Sequence, residues 1–302
     1  MRVLVTGASG FVGGHLVPAL VDAGHTVVAM VRDSDRYDPP PGVDVYEGDV
    51  LDPGLTLPTV DAAYYLIHSM AADGDFSELD RRAARNFVAA ADAAGIDRIV
   101  YLGGLGEDDA DLSEHLRSRR EVERLLGEGA ASLTVLRAAI IIGDGSASFA
   151  VIRQLVERLP VMVTPSWVRT DCQPIYIDDV IAYLVGVLAE PATAGRTFEI
   201  GGPEVLTYQE ILVRTASIHV GRRPLIVPVP VLSPGLSARW LGLVTDVPVS
   251  VAKPLVDGLK NRVVVTDDSI TDLVDVELTP FAEAVRLALD AGADRHRERA
   301  PA

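Results

Sequence analysis

A glycine-rich stretch near the start of this 302-residue chain holds the first residues whose spacing suggests chemistry. Gly7, Gly10 and Gly13 lie between a short β-branched run and a helical apolar pattern that begins at Val12. There, the first glycine permits a tight turn, the second lets backbone N–H groups approach a pyrophosphate, and the third lets helix and strand pack closely. Glycines also mark ordinary turns. Here, however, a second strand-like run over 25–31 completes a βαβ unit of about 30 residues, which is the structural context of a dinucleotide site. The predicted contacts are Gly7, Ser9, Gly10, Phe11, Val12 and Gly13.

His115 and Arg119 are a second candidate set. They lie four residues apart in a helix predicted over 112–126, so they share one face of that helix. A histidine can transfer a proton near neutral pH, and an arginine is a fixed hydrogen-bond donor to hydroxyl groups. We therefore interpret both residues as catalytic candidates. The alternative is a polar helix edge without chemistry, because the neighbouring positions are also polar: Ser113, Glu114, Arg117, Ser118 and Arg120.

The loop after the second strand bears on which dinucleotide is bound. The strand ends at Val31, about where an NAD enzyme places an acidic residue for the ribose 2′-hydroxyl. Arg32 follows, and an arginine can pair bidentately with a 2′-phosphate, to which Arg36 could add a second contact. We therefore expect NADP as the cofactor. NAD is the alternative, with Asp33 or Asp35 serving the ribose and the arginines as solvated loop charges.

Composition excludes several classes of protein. The formal net charge of −16 disfavours nucleic acid and anionic membranes as partners, and no apolar run reaches the ~18 residues needed to span a bilayer. The single cysteine, Cys172, excludes an internal disulfide and fits a reducing compartment, and the six histidines show no metal-ligand spacing. A strand at the very start leaves no room for a signal peptide. We expect a cytoplasmic protein without a metal, acting on a small molecule, with its oligomeric state left open.

Strand-like and helical patterns alternate along the first half of the chain. Strand-like runs follow at 43–46, 62–67, 98–102 and 133–142, and amphipathic helices are predicted over 76–94 and 112–126. This alternation predicts an α/β fold, a Rossmann-type doubly wound parallel sheet with helices on both faces. Beyond Gly143 the alternation loosens, and an apolar, proline-rich stretch over 222–254 suggests a small C-terminal substrate lobe that covers the cofactor.

These patterns predict a division of the chain into two lobes. Residues 1–145 are expected to form the NAD(P)-binding Rossmann domain, to which a segment at about 172–202 returns. Residues 146–171 and 203–290 are expected to form the smaller substrate-binding lobe, and 291–302 a charged, flexible tail.

Several segments carry a family resemblance. The run TGASGFVG at 6–13 resembles the cofactor loop of extended or atypical short-chain dehydrogenases/reductases. Residues 47–50 are similar to that family's adenine-contacting step, which implies contacts from Asp49 and Val50. The resemblance extends to about residue 289 through QPIYIDDV and FEIGG, which resemble the segment that returns to the nucleotide lobe and the strand after it.

Two further runs, YLIHSM at 65–70 and YLGGLG at 101–106, are similar to an atypical bacterial and archaeal subgroup. That subgroup is described loosely as NAD(P)-binding, NmrA-like or epimerase/dehydratase-like. His68 and Ser69 follow the fourth strand and Leu66 lies near its end, at the carboxyl edge where open α/β sheets bind ligands, so we expect all three near the nicotinamide ribose. For Ser69 a turn or capping role is an equal alternative.

The chain departs from the family at the catalytic pair. Family catalysis uses Tyr-x-x-x-Lys on the helix after the fifth strand, but no lysine precedes Lys253 in this chain. His115 and Arg119 occupy the corresponding places, and Gly103–Gly104 replaces the family's serine.

Three functions follow from these observations. The leading hypothesis is an NADP(H)-binding atypical short-chain reductase that transfers hydride to a small, fairly apolar carbonyl, enone or quinone. The second, favoured by the lost Tyr and Lys, is a non-catalytic redox sensor or an assembly or scaffold protein. The third, a nucleotide-sugar epimerase or dehydratase, requires the pair that is missing.

Overall fold

The computed structural model describes residues 1–69, 75–106, 112–229, 245–246 and 257–299. Its strands, in chain order, are β1 (Arg2–Thr6), β2 (Thr26–Val31), β3 (Asp44–Glu47), β4 (Ala62–Tyr65), β5 (Arg98–Gly104), β6 (Ser132–Ala138), β7 (Ile141–Ile142), β8 (Val161–Pro165), β9 (Asp171–Cys172), β10 (Ile175–Tyr176), β11 (Thr197–Ile200), β12 (Leu206–Thr207) and β13 (Leu225–Val229). The helices of the same ranges are α1 (Phe11–Asp22), α2 (Phe76–Ala94), α3 (Glu114–Leu126), α4 (Ala147–Arg158), α5 (Ile177–Ala189), α6 (Tyr208–His219) and α7 (Phe281–Arg299).

Seven strands form one parallel sheet in the order β11-β6-β5-β4-β1-β2-β3. In its register Val3 of β1 pairs with Val27 on one side and with Ala62 on the other. The chain adds β2 and β3 on one side of β1 and then crosses to the other side for β4, so the strand order reverses beside β1. Open α/β sheets bind ligands at such a switch point, outside the carboxyl ends of the strands. The predicted doubly wound, Rossmann-type sheet is confirmed.

Alternate residues of β1 are buried on opposite faces of the sheet. Val3 belongs to an apolar core that includes Leu16 of α1, whereas Leu4 belongs to a second core with Phe87 of α2. Burial of a leucine or phenylalanine of this kind contributes about 1.5–3 kcal/mol. Because both faces are covered, the strands are nearly continuous apolar runs rather than alternating ones.

Helix α3 lies between two cores. Its Val122 belongs to the core shared with α2 under the sheet, whereas its Leu116 belongs to a third core formed with Phe149 of α4 and Val285 of α7. Packing on both sides fixes the helix that carries His115.

The structure differs from the sequence-based expectation at 133–142, which forms two strands instead of one. Strand β6 pairs with β5 and β11 in the main sheet, whereas β7 pairs with β10 in a separate two-stranded sheet. Residues on both sides of the break between β6 and β7 are apolar, since Ile142 is buried in the third core. Hydrophobicity alone therefore predicts one continuous strand.

Two other sequence-based expectations concern the end of the chain. The segment 291–302, expected to be a flexible tail, is helical as far as Arg299. Most of the proline-rich stretch 222–254, expected to cover the cofactor, lies outside the described residues. Among the helices of the described ranges, none combines the length and the apolar character needed to cross a bilayer.

Candidate functional site: a glycine loop beside a buried histidine pair

The loop from Gly7 to Gly13 joins the end of β1 to the start of α1. Gly7 has a φ of +69°, a left-handed backbone conformation that residues other than glycine rarely adopt. The amide of Gly10 donates to the carbonyl oxygen of Gly7 at 2.9 Å. A Cβ on Gly13 would lie only 2.2 Å from the same oxygen. Only glycine therefore fits where the helix crosses the loop.

Helix α1 presents unpaired backbone N–H groups at its first residues. Gly10 is the N-cap and no side chain caps the helix, so the amides of Phe11, Val12 and Gly13 lack acceptors within it. Ser9 and Gly10 are exposed, while Phe11 and Val12 are half-buried. Oriented N–H groups at a helix N-terminus bind anions, so these residues fit a dinucleotide pyrophosphate.

The loop after β2 presents Arg32 and Arg36, both exposed. Asp33 accepts a hydrogen bond from Asp35 N at 3.2 Å, and its other oxygen lies 3.2 Å from Nε of Arg36. Asp33 is thus engaged within its own loop. Within the described ranges no carboxylate forms an ion pair with Arg32, which leaves it available for a phosphate.

Asp49 and Val50 begin the turn after β3, at the same edge of the sheet. Oδ1 of the half-buried Asp49 accepts from Leu51 N at 2.9 Å, and the carbonyl of Val50 accepts from Asn86 Nδ2 at 2.9 Å. The Val50 side chain is buried. The turn is therefore fixed against α2, beside the carboxyl end of β2.

The segment 66–69 leaves β4 directly beside the glycine loop. A Cβ on Gly7 would lie 3.0 Å from the carbonyl oxygen of Leu66. Buried Thr6 donates to Tyr64 O at 2.9 Å and accepts from Leu66 N at 3.2 Å, which ties the ends of β1 and β4 together. The residues after β4 consequently lie at the switch point of the sheet.

His68 and His115 lie side by side, with ring centroids 5.1 Å apart and ring planes inclined by 39°. Both ring nitrogens of His68 and Nδ1 of His115 are buried and form no hydrogen bond with a residue that the structure describes. Each such group costs about 1–3 kcal/mol, and native proteins rarely retain them without a function. The sequence predicted His115 as catalytic and His68 as a ribose contact; the structure brings both to one place.

Asp80 of α2 faces this pair and was missed by the sequence analysis. The residue is 2% exposed, and Oδ1 accepts from Ser69 N at 2.9 Å. Oδ2 accepts from Ser118 Oγ at 3.1 Å and lies 3.5 Å from Nδ1 of His68. The amide of Ser69 thus holds Asp80, while its ribose contact and its turn or capping role both stay predictions. We call His68, Asp80, His115, Ser118 and Arg119 the histidine cluster.

A signal for the missed residues was present in the helix patterns. Asp80 falls on the buried stripe of α2, and Ser118 falls on that of α3. A carboxylate or hydroxyl on an otherwise apolar stripe needs a buried partner, which is the sequence sign of a polar cluster. The other members of the two stripes are Ala83, Ala84, Phe87, Ala90 and Ala91, and Leu116, Val122, Leu125 and Leu126.

Burial dominates the electrostatics of the cluster. Burial first, and then the charge of Arg119, lower the pKa of His68 to about 4, although Asp80 acts in the opposite direction. The same two causes, with His68, hold the pKa of His115 well below its ordinary value. Burial raises the pKa of Asp80, but contacts from His68 and Ser69 and the charge of Arg119 outweigh it and lower the net value. At neutral pH both imidazoles are therefore neutral, unlike the near-neutral titration that the sequence suggested.

No serine stands at the end of β5, where the resemblance implies one. A Cβ on Gly104 would lie 2.8 Å from Cδ2 of Leu116, so a larger residue there requires the end of that side chain to move. Tyr101 is fully buried and its hydroxyl donates to the backbone oxygen of Arg119 at 3.3 Å. Tyr101 is therefore a core residue. In the described ranges no group of three or more His, Cys, Asp or Glu residues is arranged to hold a metal ion.

Comparison with known proteins agrees with this geometry. Residues 7–154 match a family model described as NAD(P)H-binding. A 3-diazoavenalumate denitrifying reductase from a Streptomyces species is 30% identical over 229 residues, which cover 64% of this chain and 74% of that protein. Subunit 9 of the NADH dehydrogenase [ubiquinone] 1 alpha subcomplex, mitochondrial, from Arabidopsis thaliana is 25% identical over 296 residues, covering 91% of this chain and 73% of that protein.

A solved structure shows the same fold over nearly the whole chain. UDP-glucuronic acid 4-epimerase from Bacillus cereus, in complex with UDP-glucuronic acid and NAD, matches with a TM-score of 0.71 and 17% identity, covering 98% of this chain and 100% of that one. Fold, glycine loop and relatives lead to one assignment: the chain belongs to the NAD(P)-binding short-chain dehydrogenases/reductases, in the atypical group related to epimerases and dehydratases.

Proposed function

We propose that the chain is an NADP(H)-dependent oxidoreductase that acts on a small, fairly apolar carbonyl, enone or quinone. The observation that carries the proposal is the pair of adjacent imidazoles at the carboxyl edge of the sheet, beside the glycine loop, three of whose ring nitrogens are buried without a hydrogen bond to any described residue. When bound there, the dinucleotide supplies a hydride for reduction or accepts one in oxidation.

His115 moves the proton in this proposal. In oxidation its imidazole takes the proton of a substrate hydroxyl, the C–O bond becomes a carbonyl, and the hydrogen on carbon leaves with both electrons of the C–H bond as hydride. In reduction the imidazolium returns that proton to the carbonyl oxygen. Because burial keeps His115 neutral at pH 7, it is ready to act as a base, whereas reduction requires its prior protonation from solvent.

Arg119 has the role of a fixed donor. The side chain is half-buried on the same face of α3 as His115, and within the described ranges it forms no ion pair. We assign it to the nicotinamide ribose hydroxyls, where a guanidinium can serve in place of the family's lysine.

The preference for NADP rests on Arg32. Arg32→Ala should weaken NADPH by roughly ten- to a hundred-fold, since a charge-assisted hydrogen bond contributes about 1.5–3 kcal/mol, and should leave NADH unchanged. Arg36→Ala is the comparison variant: as the second predicted contact, and one already paired with Asp33, it should weaken NADPH less than Arg32→Ala does. Titration of all three proteins with both cofactors decides the matter. Equal losses for NADPH and NADH would favour NAD, the ligand of the Bacillus epimerase.

The activity is tested with His115→Ala and a panel of aldehydes, enones and quinones. Turnover should fall by about 10²–10⁴, the usual contribution of a general acid or base, while the dissociation constant for NADPH stays unchanged. Arg119→Ala should instead raise that dissociation constant. Full activity of His115→Ala would remove this residue from the reaction.

A non-catalytic sensor or assembly subunit is the second candidate, and the similarity to a subunit of an NADH dehydrogenase subcomplex favours it. Tight NADPH binding without turnover on the whole panel is its expected signature. An epimerase or dehydratase is less favoured, because α3 carries no Tyr-x-x-x-Lys pair.

We also propose a reducing, cytoplasmic location. Cys172 is fully buried, and burial raises the pKa of its thiol to about 12, so it stays protonated and unreactive.

A further inference from the structure

We propose that Asp80 and His68 are positioning residues for His115, and that the three form a buried relay which sets the protonated nitrogen of each imidazole. The catalytic consequence rests on the proposed function, whereas the arrangement of protons can be measured without any reaction.

The first step concerns Asp80. A carboxylate only accepts hydrogen bonds, so each group that faces it must donate. The amide of Ser69 occupies Oδ1 at 2.9 Å, and the hydroxyl of Ser118 occupies Oδ2 at 3.1 Å. Nδ1 of His68, 3.5 Å from Oδ2, completes the set, so this nitrogen carries the proton of the neutral ring.

The second step concerns the contact between the rings. With its proton on Nδ1, His68 has a buried lone pair on Nε2, for which the described residues supply no hydrogen-bond donor. Nδ1 of His115 is buried in the neighbouring ring and forms no hydrogen bond with a described residue. The two nitrogens do not bond to each other in the structure; the bond that we infer, from Nδ1–H of His115 to Nε2 of His68, would satisfy both atoms. Catalytic hydrogen bonds are often long before substrate binds and shorten afterwards.

The third step concerns what this order of protons does. With its proton on Nδ1, His115 has its free lone pair on Nε2, and this is the tautomer that can accept a substrate proton there. When Nε2 takes a substrate proton, the ring becomes positive in a buried place, and the ionised Asp80 stabilises that charge through His68. A single proton moves, from substrate oxygen to Nε2.

Among the residues that the structure describes, the other titratable groups around the cluster do not reverse this balance. Arg119 on the same helix disfavours the imidazolium, which increases the need for Asp80. Tyr65 of β4 and Tyr101 of β5 are buried, and burial raises both phenol pKa values, so neither supplies a negative charge at neutral pH.

Asp80→Asn tests the relay. Ser69 N still requires an acceptor, so the amide NH₂ takes the place of Oδ2 and donates toward His68. His68 must then accept at Nδ1 and carry its proton on Nε2, and His115 changes in turn. Side-chain ¹⁵N NMR of the full-length, histidine-labelled protein at pH 7, without substrate, reads these tautomers. Ser118→Ala is the matched control, since it removes another donor to the same oxygen without changing what faces His68.

The relay requires that both His68 and His115 carry their proton on Nδ1 in the wild-type protein and in Ser118→Ala. In Asp80→Asn both histidines must carry it on Nε2. A wild-type His68 with its proton on Nε2 overturns the proposal whether or not the variant folds. A second variant, His68→Phe, keeps a ring in contact with His115 but removes its acceptor. His115 should then lose its preference for Nδ1–H, and an unchanged tautomer there also overturns the relay.

Kinetics separate the relay from the proposed function. Asp80→Asn should lower kcat by about 10- to 100-fold, as for other residues that orient a reacting group, with KM and the NADPH dissociation constant unchanged. An active enzyme with the wrong tautomers would refute the relay and leave the oxidoreductase intact. The expected tautomers in a protein without turnover would refute the oxidoreductase and retain the arrangement.

Discussion

The charges of the histidine cluster nearly cancel at neutral pH. Asp80 is ionised and buried, Arg119 is a half-buried cation, and the two imidazoles between them are neutral because burial lowers the pKa of each. His115 is the second residue of α3, where the helix dipole adds to the penalty on a positive ring. A neutral imidazole can donate or accept one hydrogen bond at each nitrogen, so its orientation and tautomer decide its chemistry.

The lowered pKa of His68 predicts an acid-sensitive fold. Its pKa falls from 6.5 in an unfolded chain to about 4 in the folded one, so between these values the unfolded chain binds more protons. The free energy of unfolding therefore falls as pH falls through this window, by about 2 kcal/mol between pH 7 and pH 5 from this residue. His68→Gln lacks the contribution, and its urea-unfolding free energy should decline less over that range. Equal declines for variant and wild type would contradict the burial-driven shift.

At the scale of elements, helix α1 combines a position that must be glycine with one that need not be. A Cβ on Gly13 would lie 2.2 Å from the Gly7 oxygen, whereas a Cβ on Gly14 would have no neighbour within 4 Å. Gly13→Ala must therefore displace the loop and abolish NADPH binding. Gly14→Ala should bind normally and be more stable by about 0.5–1 kcal/mol, the helix-propensity difference between the two residues.

Calorimetric titration with NADPH and thermal unfolding of both variants test this contrast. Normal binding by Gly13→Ala would contradict the close crossing of loop and helix. A loss of binding in Gly14→Ala would show that the loop tolerates no change on either side.

Sequence patterns predicted elements more completely than contacts between them. Glycine spacing and apolar periodicity placed β1, α1 and α2 because those signals are local. The contact of Asp80 with His68 joins α2 to the end of β4, and no spacing rule links residues on different elements. Gly104 stands where the resemblance implies a serine, and its contact with the end of the Leu116 side chain depends on the packing of α3, which no local pattern predicts.

At the scale of the molecule, the C-terminal segment reaches the helix that carries His115. Oδ1 of Asn261 accepts from the buried amide of Ser113 at 3.0 Å, directly before α3, and Ser113 Oγ caps the helix by accepting from Leu116 N at 3.4 Å. Gln173 N donates to Val263 O at 2.9 Å, which holds the same segment beside β9. The segment that follows the proline-rich stretch thus fixes the start of α3, while the glycine loop lies in a different core.

Asn261→Leu tests this separation. The substitution leaves the Ser113 amide buried without that acceptor, which costs about 1–3 kcal/mol, and loosens the first turn of α3. The expected results are a lower kcat, faster hydrogen exchange at 114–117 and an unchanged NADPH dissociation constant. Thr279→Val is the matched control, because it removes the 2.8 Å bond from the Thr279 hydroxyl to Asp179 of α5, another C-terminal link far along the chain from α3. Its unfolding free energy should fall by a similar amount with kcat unchanged. If Thr279→Val lowered kcat as much as Asn261→Leu, general destabilisation would account for both effects, and the link from Asn261 to α3 would have no specific role in positioning His115.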